Sequence, residues 1–276
     1  MERIDLKENY VNLLKTIDIS VKHASVRKKL LVPGMFLRGT DYEKQERKLL
    51  IIGRALNGWL ENFSFTINGL KESNVENFVE EKIYEYDRQE QIGKYKRYSS
   101  LSDTKPCLNL PGLNWVETYC EDNNGGIKPQ RTSNTPFWTL AKNVACSNSF
   151  GNDETWLKNI AWTNLYKICP MDKDNPKGGL CNCQLEDCKK ILDQELELLK
   201  PTHILIIAKT KGKMYADDQK EEWTYGFIDI IKSYCERRKN TKYYCCERPE
   251  YRSKQSIEAD LQTIKNVFSE NIDLPK

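Results

Sequence analysis

Short apolar runs alternate with longer amphipathic stretches along the second half of the chain. Ile160 to Ile168 is rich in apolar, aromatic and β-branched residues, and Thr202 to Ala208 is nearly continuous apolar. That is the pattern of strands covered on both faces. Between them Leu185, Cys188, Ile191, Leu192, Leu196 and Leu199 recur at helical spacing with acids and lysines opposite, and Pro201 ends the helix. The segment predicts strand, loop, helix and strand, a crossover unit with parallel strands. Lys48 to Ala55 is an earlier apolar strand running into Gly53 and then Asn57-Gly58, and Lys242 to Glu247 is a fourth strand. Helices are expected over Thr135 to Phe150 with Pro136 at its start, over Glu221 to Glu236, and after Arg252 with Ile257, Leu261, Ile264, Val267 and Phe268 on one face. Strands alternating with helices predict an α/β layered domain.

The flanking segments are less regular. Residues 1–47 read as a helical N-terminal extension, with Val11, Leu13, Leu14, Ile17 and Ile19 inward. Residues 61–130 read as an insertion, charged and helical over Asn74 to Arg97 and irregular over Ser99 to Gly126. A lid over a site and an elaborated surface insertion are both open readings. The expected organisation is one domain over 1–276 whose core is 48–60 and 131–268.

Composition narrows the class. The chain has 276 residues, 39% hydrophobic and 30% charged, which suits a globular protein with a charged surface. No run reaches the ~18 apolar residues of a membrane span. The acidic start, MERIDLKENY, lacks the apolar core of a secretory signal, so a cytoplasmic location is expected. Ten cysteines are then free thiols or metal ligands rather than a disulfide framework. Net charge is only +3, so nucleic-acid binding does not follow from it. The local clusters Lys22 to Lys29, Lys94 to Arg97 and Arg237 to Lys242 either meet phosphates or are solvated faces.

Candidate chemistry gathers at the carboxyl ends of the strands, where open α/β sheets bind ligands. Gly53 lets the backbone approach a ligand closely, and Asn164 and Lys209 lie in or just past such ends. Phe137 and Trp138 at a helix start either present a ring to a pocket or fill the core. Cys169, Cys181, Cys183 and Cys188 crowd one short segment, but the Cys181-x-Cys183 gap is shorter than the usual zinc spacer.

Taken in order, IIGRALNGW (51–59), TPFW (135–138), TNLYKICP (163–170), LELLKPTHILIIAKT (196–210) and RPEYRSKQSIEADL (248–261) resemble the uracil-DNA glycosylase superfamily, its iron-sulfur class most of all. The resemblance implies a three-layer α/β/α sandwich with a central four-stranded parallel sheet and a uracil pocket at the strand ends. It implies a monomer acting on DNA, uracil-containing or single-stranded, by flipping a base and hydrolysing its N-glycosidic bond. Phe137 would stack on the base and Asn164 would read it, since a carboxamide both donates and accepts. Gly53, Arg54 and Ala55 would approach the sugar, with Asn57 placing the attacking water. Arg248 would meet the developing charge on the base, and Lys209, Arg252, Ser253 and Lys254 the DNA backbone.

Three positions depart from the family pattern. Arg248-Pro249 stands where the family has His-Pro, Asn57 matches its motif only approximately, and Ala208 replaces a glycine. The iron-sulfur class takes two cluster ligands from near the N-terminus, and this chain has no cysteine before Cys107. No iron-sulfur cluster, zinc or other cofactor is therefore expected. The alternatives are a nucleobase, nucleotide or nucleic-acid binder of the same fold, and an interaction protein built round a metal-binding cysteine loop.

Overall fold

A computed structural model describes residues 4–55, 64–72, 74–80, 113, 116, 119–121, 127–171, 176, 178–209, 226–250 and 252–269. Among these residues the helices are α1 (Ile4–Ser20), α2 (Ala24–Arg27), α3 (Ile67–Glu72), α4 (Val75–Phe78), α5 (Pro136–Ser147), α6 (Trp156–Asn159), α7 (Gly178–Leu199), α8 (Phe227–Arg237) and α9 (Lys254–Ser269). The strands are β1 (Leu31–Pro33), β2 (Leu37–Arg38), β3 (Leu49–Ala55), β4 (Tyr119–Glu121), β5 (Ile127–Arg131), β6 (Ile160–Tyr166), β7 (Ile168–Pro170), β8 (His203–Lys209) and β9 (Lys242–Glu247).

The central sheet has the order β2-β6-β3-β8-β9. β3 runs parallel to both β6 and β8, and β8 parallel to β9. These are the four strands expected from the apolar runs. The sheet nevertheless has five strands, because β2 adds antiparallel to the outer edge of β6.

That fifth strand corrects the helical reading of residues 1–47. α1 and α2 are helical, but Leu31–Pro33 and Leu37–Arg38 are extended, and β1 pairs antiparallel with β7. Pro33 cannot sit inside a helix without breaking a backbone bond. Leu31 to Leu37 is buried throughout and covers an edge that would otherwise present unpaired backbone groups. Tyr10 on α1 anchors the turn, its hydroxyl donating to the Gly34 carbonyl at 2.6 Å. Ile19, expected inward, is 67% exposed at the end of α1.

Strand alternation divides the core between the two sheet faces. Leu50, Ile52, Ala161, Leu165, Ile204 and Ile206 pack with α1, α7 and α8. Leu49, Ile51, Ile160, Trp162, Leu205 and Ile207 pack with α5, α6 and α9. Helices thus flank a mostly parallel sheet on both sides. Residues 64–80, expected in an insertion, supply Phe65, Ile67, Leu70 and Val79 to the α1 side of the core. The rest of that segment is described only at Leu113, Val116 and the backbone of the β4–β5 hairpin. No helix among the described residues is long and apolar enough to cross a membrane.

Candidate functional site

The register of the parallel strands brings one row of residues across the sheet near its carboxyl edge. Gly53 pairs with Asn164 on one side and Ile207 on the other, and Ile207 pairs with Cys246. Ala55 pairs with Tyr166, while Lys209 pairs with Glu247 at the end of β8 and β9, just before Arg248. Gly53, Asn164, Lys209 and Arg248 therefore share an edge, as the order of apolar runs predicts.

Gly53, Asn164 and Phe137 meet on the α5 side of that edge. A side-chain carbon at Gly53 would lie 2.5 Å from Asn164 Oδ1 and 3.5 Å from the Phe137 ring. A side chain there would have to push the Asn164 amide aside. Phe137 is half-buried in the first turn of α5, its ring meeting Trp138 edge-on at 5.1 Å between centroids. Trp138 in turn packs on Trp156 and Trp162, which seats the helix start against β6.

Asn164 is 5% exposed. Among the described residues its carboxamide makes no hydrogen bond, although its backbone carbonyl accepts one from Lys167. Buried amides are usually bonded, and this one instead packs against Gly53 close to the Phe137 ring. A carboxamide carries one acceptor oxygen and two donor hydrogens.

On the other face of β6 most polar groups are engaged, although Glu195 Oε1 is buried without a hydrogen-bond partner among the described residues. Lys167, 1% exposed, donates to Thr163 Oγ1 at 2.8 Å, to the Asn164 carbonyl at 2.6 Å and to Glu195 Oε2 at 2.7 Å. Those three bonds use all three ammonium protons. Thr163 also donates to Glu195 Oε2 at 2.8 Å. Burial pushes the Glu195 carboxyl up from its ordinary range, and the Lys167 ammonium and Thr163 hydroxyl pull it back down. Beside them Gln184 accepts from the Ile168 N–H at 2.9 Å and donates to the Ile168 carbonyl at 2.9 Å, tying β7 to α7. The backbone carrying Asn164 is thus held from below by a buried ion pair. The sequence pattern does contain a signal for it: Gln184 and Glu195 occupy positions on the apolar stripe of α7, and Lys167 interrupts an apolar run.

The remaining expected site residues are placed as follows. Arg54 is half-buried in β3, and strand alternation puts it on the opposite face from the Gly53 gap. Ala55 is partly buried against both halves of the core. Asn57 lies outside the described residues. Arg248 forms an ion pair with Glu250, and among the described residues Arg248 Nε and Glu250 Oε2 are buried without a hydrogen-bond partner. Arg252, expected at the DNA backbone, donates within the fold to Asp260 at 2.7 Å, to the Ser256 hydroxyl at 2.7 Å and to the Glu247 carbonyl at 3.2 Å. Ser253 accepts from the Ser256 N–H at 3.2 Å at the start of α9. Lys254 stands in solvent, 3.8 Å from Glu258.

The four clustered cysteines do not converge. Cys181 Sγ lies 3.1 Å from the Pro176 carbonyl and Cys183 Sγ 3.3 Å from the Leu180 carbonyl, while Cys188 Sγ meets Gln184 Oε1 at 3.3 Å. Cys169 Sγ faces the Tyr166 carbonyl at 3.9 Å. Burial pushes the Cys183 thiol up to about 11 and raises Cys188 further, which disfavours the thiolate that a metal needs. Among the described residues no group of three or more His, Cys, Asp and Glu side chains is arranged to hold a metal ion. No protein family's profile matches the chain, and no curated protein matches its sequence.

Proposed function

We propose that this protein is a divergent relative of the uracil-DNA glycosylases that receives a uracil-type base, turned out of DNA, at the Gly53–Phe137–Asn164 edge and hydrolyses its N-glycosidic bond. The observation that carries the reading is the Asn164 carboxamide, 5% exposed, without a side-chain hydrogen bond among the described residues, and packed against Gly53 beside the Phe137 ring. Its amide would accept the base N–H and donate to the neighbouring carbonyl, with the Phe137 ring stacked on the base. The Lys167–Glu195 pair holds the Asn164 backbone, so the reading group is positioned before the ligand arrives.

Cleavage leaves cationic character on the sugar and negative charge on the base, so donors are needed where that charge develops. Arg248 cannot serve as a general acid near neutral pH, but its guanidinium can donate to an anionic carbonyl oxygen. The half-satisfied pair with Glu250 leaves Nε for that purpose. Asn57, or water held by the turn that Gly53 begins, would orient the nucleophile. Single-stranded or mismatched DNA is the preferred substrate, because extrusion costs less there. Lys254 supplies an exposed cation for the backbone.

A second reading, a base-binding protein that does not cleave, is favoured by the same Arg248–Glu250 contact, since a guanidinium neutralised by its own loop stabilises a developing anion less. Release of free uracil from a single-stranded uracil oligonucleotide separates the two. Product from wild type, reduced in Arg248→Ala and in Asn57→Ala, supports the enzyme. No product above a no-enzyme control, together with uracil binding that Asn164→Ala abolishes, supports the binder. Absence of both cleavage and uracil binding rejects the site.

A further inference from the structure

The basic stretch Lys22 to Lys29 follows α1 and borders a cleft that the base-reading site does not use. Val21, Val26, Leu31, Pro170 and Leu180 form its walls, and Lys22, His23 and Lys29 stand around it. Its volume is about 210 Å³. An apolar cavity of roughly 150 Å³ holds a benzene-sized guest, whereas drug-sized ligands fill about 300–1,000 Å³. The cleft thus suits a ring or a short chain and is too small for a nucleotide.

Among the described residues around it, Lys22 is a cation without a carboxylate partner. Among the described residues none lining it is acidic. Asp18, on the preceding turn, is already bound by Arg27 at 2.5 Å, and the first acid of α7 is Glu186, beyond its opening turns. Lys22 is exposed and meets no carboxylate among the described residues. Gly179 and Leu180 bring the amino end of the 22-residue α7, the positive end of its dipole, to the wall. Val26 and Leu31 offer no polar group that would seat a sugar or a peptide backbone.

From the apolar walls, the small volume and the cationic rim together, we infer that the cleft is a binding site for a small amphiphilic anion: an apolar chain or ring of about benzene size or slightly larger bearing one carboxylate. The tail enters between Val26 and Leu180 and the carboxylate stays at the mouth beside Lys22. This site is independent of the base-reading edge, so its outcome says nothing about uracil.

Octanoate and uncharged octan-1-ol are the probes, read by the methyl NMR signals of Val26, Leu31 and Leu180. Octanoate is expected to shift these signals saturably and to bind more tightly than octan-1-ol. Lys22→Glu should weaken octanoate about threefold or more at low salt, with octan-1-ol unchanged, because an exposed ion pair contributes modestly and is screened. Val26→Trp should fill the cleft and abolish both while unfolding at the wild-type temperature. Absence of saturable octanoate shifts in wild type, or shifts that survive Val26→Trp, would overturn the site. Octanoate binding untouched by both Lys22→Glu and salt would overturn the anionic ligand class.

Discussion

Thr163 and Asn164 are neighbours on β6 and face opposite sides of the sheet, and their surroundings differ in one respect. Under Thr163 the Lys167 ammonium and the Thr163 hydroxyl meet Glu195, and Gln184 beside them bonds the backbone of Ile168. Above, the Asn164 carboxamide has no partner among the described residues, and Gly53 leaves it space. The lower cluster costs desolvation and recovers part of it through the short bonds to Glu195 Oε2, so it acts as structure. The upper amide is 5% exposed and makes no side-chain bond among the described residues, so it contributes little to holding the fold.

The comparison can be broken by removing either side. Lys167→Met should have the largest effect, lowering stability by about 3–5 kcal/mol in urea or thermal unfolding, because it strands the buried Glu195 carboxylate. Adding Glu195→Leu should restore much of that loss. If Lys167→Met is as stable as wild type, the pair is not structural.

His203 sharpens the contrast as a third buried polar group, at the other end of the sheet. It sits between Phe150 and Phe268, with Thr202 Oγ1 2.8 Å from its Nδ1. Burial, with Arg47 and Lys242 nearby, pushes its pKa down from 6.5 to about 4. The unfolded chain therefore takes up a proton that the fold refuses, so stability is full above about pH 6.5 and falls as pH drops toward 4. The loss should reach at most about 3 kcal/mol, and His203→Phe should flatten it. An unchanged slope in that variant would assign the acid sensitivity elsewhere.

Asn164→Ala should leave stability within about 1 kcal/mol, since no internal bond is lost. It should weaken uracil binding by roughly 1–3 kcal/mol, measured by calorimetry. A large stability loss with unchanged binding would make Asn164 a core residue. Gly53→Ala should have the smallest effect on unfolding, about 1 kcal/mol or less, because the atom in its way is the movable tip of Asn164. Uracil affinity should nevertheless fall as far as in Asn164→Ala.

The parallel strands were legible because each is a short apolar run bounded by a turn or a proline, and the long helix because its stripe repeats from Leu185 to Leu199. The order of those runs also placed Gly53, Asn164 and Arg248 at one edge. β2 was not legible: Leu37–Arg38 is too short to carry a period, and only the open edge of β6 makes it a strand. The commitment of Arg252 to Asp260 and Ser256 was equally hidden, since an arginine in a loop reads the same whether it faces a phosphate or a carboxylate.

By itself the sequence determined the four parallel strands and the longer helices between them, because burial of one face leaves a period in the chain. Tertiary structure alone decided which polar side chains are satisfied. Lys167 reaches Glu195 on another element, and Asn164 faces Gly53 and Phe137 from two others. Hydrogen bonding is a property of pairs brought together by the fold, and no local spacing records it.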